Sequence, residues 1–353
     1  VGEGKKLVTP GVLKRFQQEI LPLMGPGVRP HLEALPPQLI GELEEIRLRL
    51  ERPLAVVTGA GSAFVAPGGR LTGDARAAYL VTVEDLRHTL EAAAKGSWYA
   101  LTGQLGEGFI TVPGGHRLGL AGEAVTEAER VSNQKNIGGI AVRMAKEVPG
   151  CASAVIPYLW DRENGLPYHT LIVSPPRAGK TTVLREIVRT FSSGFPRADI
   201  PPMNVGLVDE RWEIAACFEG VPQNDVGPCT DVLSGWPKAK GMLVLVRTMS
   251  PRILATDEMG GAEDLAALEE VLNAGVKVVA TAHAADLEEL GRRPLWRKLF
   301  QQNTFERYVV LSRRLGPGTV EAVWDASRRC VLFKGPWRGP EKAAIYLAGR
   351  GTY

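Results

Sequence analysis

The sequence predicts an α/β phosphate-loop ATPase domain of the recombinase-like, additional-strand kind, built on a parallel sheet and preceded by a smaller α+β domain. Three observations carry that expectation. The β-branched run Leu171-Ile172-Val173 leads into Ser174-Pro175-Pro176-Arg177-Ala178-Gly179-Lys180-Thr181-Thr182, and residues 181–191 then place Val183, Leu184, Ile187 and Val188 at helical spacing. A second apolar run, Ile253-Leu254-Ala255-Thr256, ends in the paired acids Asp257 and Glu258. Strand-like and helix-like stretches alternate over residues 168–311, as in an open parallel sheet covered on both faces. An additional strand at 205–209, between the loop and Asp257 in sequence, favours the recombinase-like branch over the GTPase and kinase branches.

In chain order, residues 1–44 read as mainly helical. Over residues 10–21, Val12, Leu13, Phe16 and Ile20 share one face, and Pro22, Pro26 and Pro30 end that helix. Glu45-Ile46-Arg47-Leu48-Arg49-Leu50 alternates polar and apolar as a half-buried strand does, with Arg47 and Arg49 as solvated charges, and 54–57 continue as a strand after Pro53. Residues 83–94 read as a helix capped by Thr82. Strands over 108–113 and 117–122 are joined through Gly114-Gly115-His116; there His116 and Arg117 either meet a neighbour or a nucleotide, or are ordinary loop residues. A short strand over 137–144 completes the module. The proline- and glycine-bearing stretch from 151 to 168 marks a boundary, which gives domains at 1–150 and 151–330 and a C-terminal tail at 331–353.

Beyond the loop helix, residues 192–203 read as a mobile connection. The strand over 204–211 ends in Asp209, Glu210 and Arg211; its acids either join a site at the carboxyl edge of the sheet or cap a helix over 212–218. Residues 219–237 read as a long irregular segment, and 238–249 and 263–273 as helices. The strand over 276–283 ends in His283, placed to sense a terminal phosphate or to be a plain surface residue. A last strand covers 308–311, and Arg313-Arg314 and Arg328-Arg329 read as a solvated basic face.

The chemistry lies in the loop and the acids. The loop fits G-x-x-x-x-G-K-[ST] except at its first position, where Ser174 stands. Backbone N–H groups of such a loop, with the positive end of the following helix, surround phosphates; Lys180 reaches the β- and γ-phosphates and the Thr181 hydroxyl serves Mg²⁺. Asp257 then belongs on the Mg²⁺ shell and Glu258 beside the attacking water. No guanine-specifying N-K-x-D motif occurs, so the expected nucleotide is ATP.

Composition bounds the alternatives. A chain of 353 residues, 44% hydrophobic and 23% charged, has material for two cores and reads as soluble and globular. A net charge of +3 gives no ground for a nucleic-acid partner, and aromatics are only 7%. No apolar stretch approaches the ~20 residues that span a bilayer, and no signal-peptide core follows Lys5-Lys6, so the expected location is cytoplasmic. Cys151, Cys217, Cys229 and Cys330 are scattered without a C-x-x-C pair, which argues against zinc and a disulfide framework and for reduced, mostly buried thiols.

Several motifs together resemble the stage III sporulation protein AA family: the stretch 175–182, Asp209-Glu210-Arg211-Trp212-Glu213-Ile214-Ala215, Met249-Ser250-Pro251, Thr256-Asp257-Glu258-Met259-Gly260 and Thr281-Ala282-His283-Ala284. In the front module Glu45-Ile46-Arg47-Leu48-Arg49, Gly108-Phe109-Ile110-Thr111 and the stretch 114–122 add to it. That family is similar to the motor ATPases of type II and type IV secretion and pilus retraction. The resemblance implies a cytosolic homo-hexameric ATPase of the mother cell, peripheral to the outer forespore membrane through membrane proteins of the stage III A operon. It would energise a channel between mother cell and forespore. It also implies that Lys180 and Thr181 match the Walker A lysine and magnesium hydroxyl, Asp257 and Glu258 the Walker B acids, Asp209 and Glu210 an acidic box, and His283 a histidine box. Arg117, Arg143 and Arg211 become candidates for a charge offered across a subunit boundary. Trp212 departs from the small polar residue usual at its position.

The site expected is therefore Glu258 positioning water with help from Glu210, and Lys180, Mg²⁺ and a neighbour's arginine stabilising charge on the phosphoryl group. Two rivals stand beside it. A nucleic-acid motor would want a basic, aromatic-bearing channel, and a nucleotide-clamped scaffold would have no use for the Glu258 carboxylate.

Overall fold

The structure is a computed structural model that describes residues 10–95, 102–127 and 130–339. The chain divides into two compact units, Val1–Lys146 and Glu147–Tyr353.

The first unit opens with α1 (Pro10–Arg15), a π turn and a 3₁₀ turn that together carry the expected helix to Leu23. Short helices α2 (Arg29–Glu33) and α3 (Pro37–Glu42) follow, each with proline in its first turn, where the missing N–H costs nothing. Strands β1 (Leu43–Arg49), β2 (Ala55–Thr58), β3 (Gly61–Val65) and β4 (Leu71–Thr72) precede α4 (Val83–Ala94) and α5 (Thr102–Gly106). Strands β5 (Phe109–Thr111), β6 (Arg117–Glu127) and β7 (Arg130–Arg143) close an antiparallel sheet of order β4-β3-β2-β1-β7-β6-β5. Helix α4 starts where Thr82 predicts: Thr82 Oγ1 accepts from the Asp85 N–H and the Asp85 carboxylate accepts from the Thr82 N–H, a reciprocal capping box. The last strand is much longer than the expected 137–144, because residues from 130 onward pair with β6.

In the second unit a two-stranded ribbon, β8 (Trp160–Asp161) and β9 (Leu166–Pro167), precedes the main sheet. The order from there is β10 (Thr170–Ser174), α6 (Lys180–Ser193), β11 (Val205–Asp209), β12 (Thr230–Ser234), α7 (Lys238–Met249) and β13 (Ile253–Thr256). Then come α8 (Ala262–Asn273), β14 (Lys277–His283), α9 (Leu287–Arg292), α10 (Pro294–Gln301), β15 (Arg307–Ser312), β16 (Thr319–Asp325) and β17 (Cys330–Trp337). The eight strands lie in the order β12-β11-β13-β14-β10-β15-β16-β17, parallel from β12 to β15 and antiparallel beyond. β14 lies between the loop-bearing β10 and the acid-bearing β13, the arrangement of a recombinase-like phosphate-loop sheet.

Alternation along β10 explains the two covered faces. Ile172 joins a core with Val183, Leu184, Ile187 and Phe191 of α6, whereas Leu171 and Val173 join a second core with Met242 and Leu245 of α7, Leu268 of α8 and Trp296 of α10. Burying each such side chain contributes about 1.5–3 kcal/mol. Helix α6 thereby holds the loop at its start against the sheet.

Some expectations change. Residues 192–203, expected to be mobile, are packed: Phe195 and Ile200 bridge, and Ala198, Ile200 and Met203 are buried. No helix forms over 212–218, and the stretch read as irregular contains β12. Residues 331–337, assigned to a tail, belong to β17, with Trp337 fully buried in the α6 core; the expected tail beyond 339 lies outside the described residues. All four cysteines are free, but only Cys151 and Cys217 are buried, Cys229 being half-buried and Cys330 exposed.

Candidate active site

Register brings the site together. Ser174 of β10 lies opposite His283 of β14, and Thr256 of β13 opposite Ala280 of β14, so the carboxyl ends of three adjacent strands deliver Ser174, Asp257 and His283 to one edge. Ser174 Oγ donates to the Pro175 carbonyl at 2.9 Å, a local turn that serves in place of glycine. The loop then needs left-handed backbone at Arg177 (φ +58°) and Gly179 (φ +86°). A Cβ on Gly179 would stand 2.7 Å from the Gly318 nitrogen, so glycine is required there on two counts. Gly318 donates its N–H to the Ala178 carbonyl at 2.8 Å: the β15–β16 turn braces the loop from outside.

Lys180 begins α6 and is only 5% exposed. Its Nζ stands 2.9 Å from His283 Nδ1 and 3.5 Å from both the carbonyl and the hydroxyl of Ser174. Among the described residues no carboxylate oxygen lies within 4 Å of it. Burial holds the amine below its ordinary range, against the pull of Asp257 and Glu258. A buried ammonium without a carboxylate partner is costly, and its natural complement is an arriving anion.

One residue on, Thr181 Oγ1 donates to Asp257 Oδ2 at 2.6 Å, and Thr281 Oγ1 donates to Asp257 Oδ1. A hydroxyl and a carboxylate so joined at the mouth of a phosphate loop suit a hard divalent cation such as Mg²⁺, which prefers oxygen ligands. Thr182 continues the same first turn, its carbonyl facing Cys151 Sγ.

Glu258 adopts φ +51° and is held on every side. Its N–H donates to Asp257 Oδ1 at 3.0 Å and to Thr281 Oγ1 at 2.9 Å. His283 Nε2 is 2.7 Å from Glu258 Oε1 and Arg211 Nη1 donates to Glu258 Oε2 at 2.6 Å. His283 thus links Lys180 to Glu258 through its two ring nitrogens. Burial alone would raise the Glu258 carboxyl, but the His283 hydrogen bond and the charges of Arg211, His283 and Lys180 outweigh it and hold the group below its ordinary value.

The acidic pair at the end of β11 divides. Asp209 is 1% exposed, and its carboxylate accepts backbone N–H bonds from Glu213, Ile214, Ala215 and Ala216, so it organises the following loop. Burial raises its carboxyl against those donors. Asp209→Ala is expected to cost about 3 kcal/mol by orphaning buried donors. A lowered denaturant midpoint checks this, and an unchanged one refutes it. Glu210 instead points toward Lys238, 3.4 Å from its Nζ, and lines a small cleft with Arg211, Asp257 and Glu258. Trp212 is seated over Gly235, where any Cβ would collide with its ring.

Arg211 is thus engaged with Glu258 of its own chain. In the first unit the Arg117 guanidinium lies 3.5 Å from the centroid of the Phe109 ring, and Arg143 pairs with Glu45 at 3.3 Å. His116 is buried between Glu19 and the Ala145 N–H, so it holds its own module together. Two residues with a part in the site, Thr281 and Lys238, were not among the sequence candidates; the only signal for Lys238 is a lysine at the start of a helix, where a cation opposes the macrodipole.

The strand order, loop and paired acids define a recombinase-like phosphate-loop α/β domain with an N-terminal α+β domain before it. The family model described as "Sporulation stage III, protein AA" matches residues 14–331. The stage III sporulation protein AA of Bacillus subtilis (strain 168) is 36% identical over 307 residues, covering 87% of this chain and 94% of that protein. The chain belongs to the stage III sporulation protein AA family. Among solved structures, the pilus retraction motor PilT with bound ADP aligns with a TM-score of 0.49 at 13% identity, over 76% of this chain and 74% of that one. The Legionella pneumophila ATPase DotB aligns at 0.45 and 16%, over 76% and 72%. No described helix is long and apolar enough to cross a membrane.

Proposed function

We propose that the chain is a Mg²⁺-dependent ATPase that drives or assembles a secretion-like channel between mother cell and forespore during endospore formation. The observation that carries this reading is the convergence of Lys180, Thr181, Asp257, Glu258 and His283 at one sheet edge, with a buried lysine that has no carboxylate within 4 Å among the described residues. The loop 174–182 binds the phosphates and Lys180 neutralises them. Thr181 and Asp257 would hold Mg²⁺, which would supply charge neutralisation at the phosphates. Glu258 orients the attacking water and takes its proton, and Glu210 stands beside it.

His283 joins Lys180 to Glu258 and is placed to report the terminal phosphate: an anion drawing Lys180 away from Nδ1 frees the ring to turn with Glu258. A charge from a second copy in a hexameric ring completes the site, with Arg117, Arg143 and Arg211 the candidates to offer it, each engaged within its own chain here. Family membership supports a cytoplasmic, mother-cell location and docking on membrane proteins of the stage III A operon.

The test is ATP hydrolysis by the purified chain with Mg²⁺, with EDTA, and with single-stranded DNA. Turnover that EDTA removes, that Mg²⁺ restores and that DNA leaves unchanged is expected. Turnover that requires DNA would make the protein a nucleic-acid motor, and tight binding without turnover would make it a nucleotide-clamped scaffold.

A further inference from the structure

Lys238 is a cation where neither burial nor helix geometry favours one. It is the first residue of α7 and is 7% exposed. A positive charge at a helix N-terminus opposes the macrodipole, and removing an ammonium from water is costly even when it is paired. Stability therefore gives little reason for a lysine at this position.

Its contacts give another reason. Lys238 Nζ donates to the Glu258 carbonyl at 2.8 Å and lies 3.4 Å from Glu210 Oε2 and 3.9 Å from Asp264 Oδ2, while its backbone N–H donates to Glu210 Oε1 at 3.3 Å. Glu258 has left-handed backbone, which a non-glycine residue keeps only where its surroundings impose it. Asp257 and Thr281 hold the N–H side of that residue, and Lys238 holds its carbonyl side.

We propose that Lys238 is a positioning residue for hydrolysis: its ammonium fixes the Glu258 peptide in the conformation that aims the carboxylate, and tethers Glu210 next to it. This rests on the ATPase reading of the site. Lys238 acts through Glu258 and Glu210, so its removal should slow the chemical step and leave nucleotide binding intact.

Lys238→Met keeps most of the aliphatic stem and removes the charge. Neither acid is stranded by it, because Asp264 still accepts from the N–H groups of Gly260 and Gly261 and Glu210 is half-exposed. The expected result is a kcat lower by about 30-fold, on the scale of a misaimed catalytic group. KM and the Kd of a fluorescent ATP analogue should stay within about threefold. The thermal midpoint should be unchanged or higher, and Lys238→Arg should recover part of kcat. If Lys238→Met does not fold, Lys238→Gln carries the same kcat-against-KM comparison. Wild-type kcat in the variant, with Lys180→Ala inactive, would overturn the positioning role and leave the ATPase reading standing. A joint loss of kcat, nucleotide affinity and melting temperature would also overturn it, as a purely structural effect. A wild type that binds ATP without turnover would remove both readings.

Discussion

Lys180→Ala is expected to lower ATP turnover by about 10³-fold or more and to weaken nucleotide binding, while the free protein melts no lower than wild type. The loss of turnover follows from removing the buried ammonium at the start of α6, where a single preorganised charge in a dry site is worth about 10²–10³ in rate and phosphate binding is lost besides. The unchanged melting follows from the geometry. Lys180 is buried without a carboxylate within 4 Å among the described residues, so its charge costs the free protein more than its contacts to Ser174 and His283 return. The nucleotide-induced rise in melting temperature should disappear in the variant, because that rise is binding free energy.

The same residue sets a pH dependence. Burial depresses the Lys180 amine, and phosphate prefers the charged form. Affinity should therefore fall as pH rises through that depressed value, earlier than an ordinary lysine allows. Calorimetric titration between neutral and alkaline pH measures it. Turnover at the wild-type rate in Lys180→Ala would end the phosphate-loop assignment.

Local patterning explains what was legible in the sequence. The β10 run, the loop, α6 and the Asp257–Glu258 strand end follow from β-branched runs, glycine and lysine spacing and helical periodicity, all properties of neighbouring residues. Helix α7 coincides with the expected 238–249, and the Thr82 cap with the start of α4. What was not legible depends on distant pairing. β12 is a half-buried edge strand, with only a muted apolar signal, and reads as loop until β11 pairs with it. β16 and β17 return antiparallel and bring Trp337 into the α6 core, which composition alone makes look like a basic tail.

The site shows the same division. Lys180, Thr181 and Asp257 are identifiable by motif, and the Thr181 hydroxyl meets the Asp257 carboxylate directly. Asp209 and Glu210 are neighbours of the same charge, yet one is spent on four backbone N–H groups and the other reaches the cleft. No spacing distinguishes them, because the difference lies in the path of the loop over residues 213–216. The brace from Gly318 onto Ala178 is likewise invisible in sequence, being made by a turn far along the chain.

Glu258→Gln is expected to lower kcat by about 10²–10⁴-fold with nucleotide affinity retained, since a general base is removed and its shape is kept. Gln can still accept from His283 Nε2 or Arg211 Nη1, though its amide cannot satisfy both, so the ring stays close and the phosphate loop is untouched. The carboxylate it replaces is held below its ordinary value: burial pushes it up, and the His283 hydrogen bond with the Arg211, His283 and Lys180 charges pushes it further down. A depressed carboxylate contributes stability that is complete above its unfolded value, near ~4.3, and is lost as pH falls through the lower folded value. Wild-type kcat should accordingly stay level through neutral pH and fall only in acid below the usual glutamate range. Arg211→Ala removes one lowering charge and leaves burial unopposed by it, so the acid limb should move to higher pH. A limb that stays in place in Arg211→Ala, or near-normal kcat in Glu258→Gln, would mean that another group takes the proton from water.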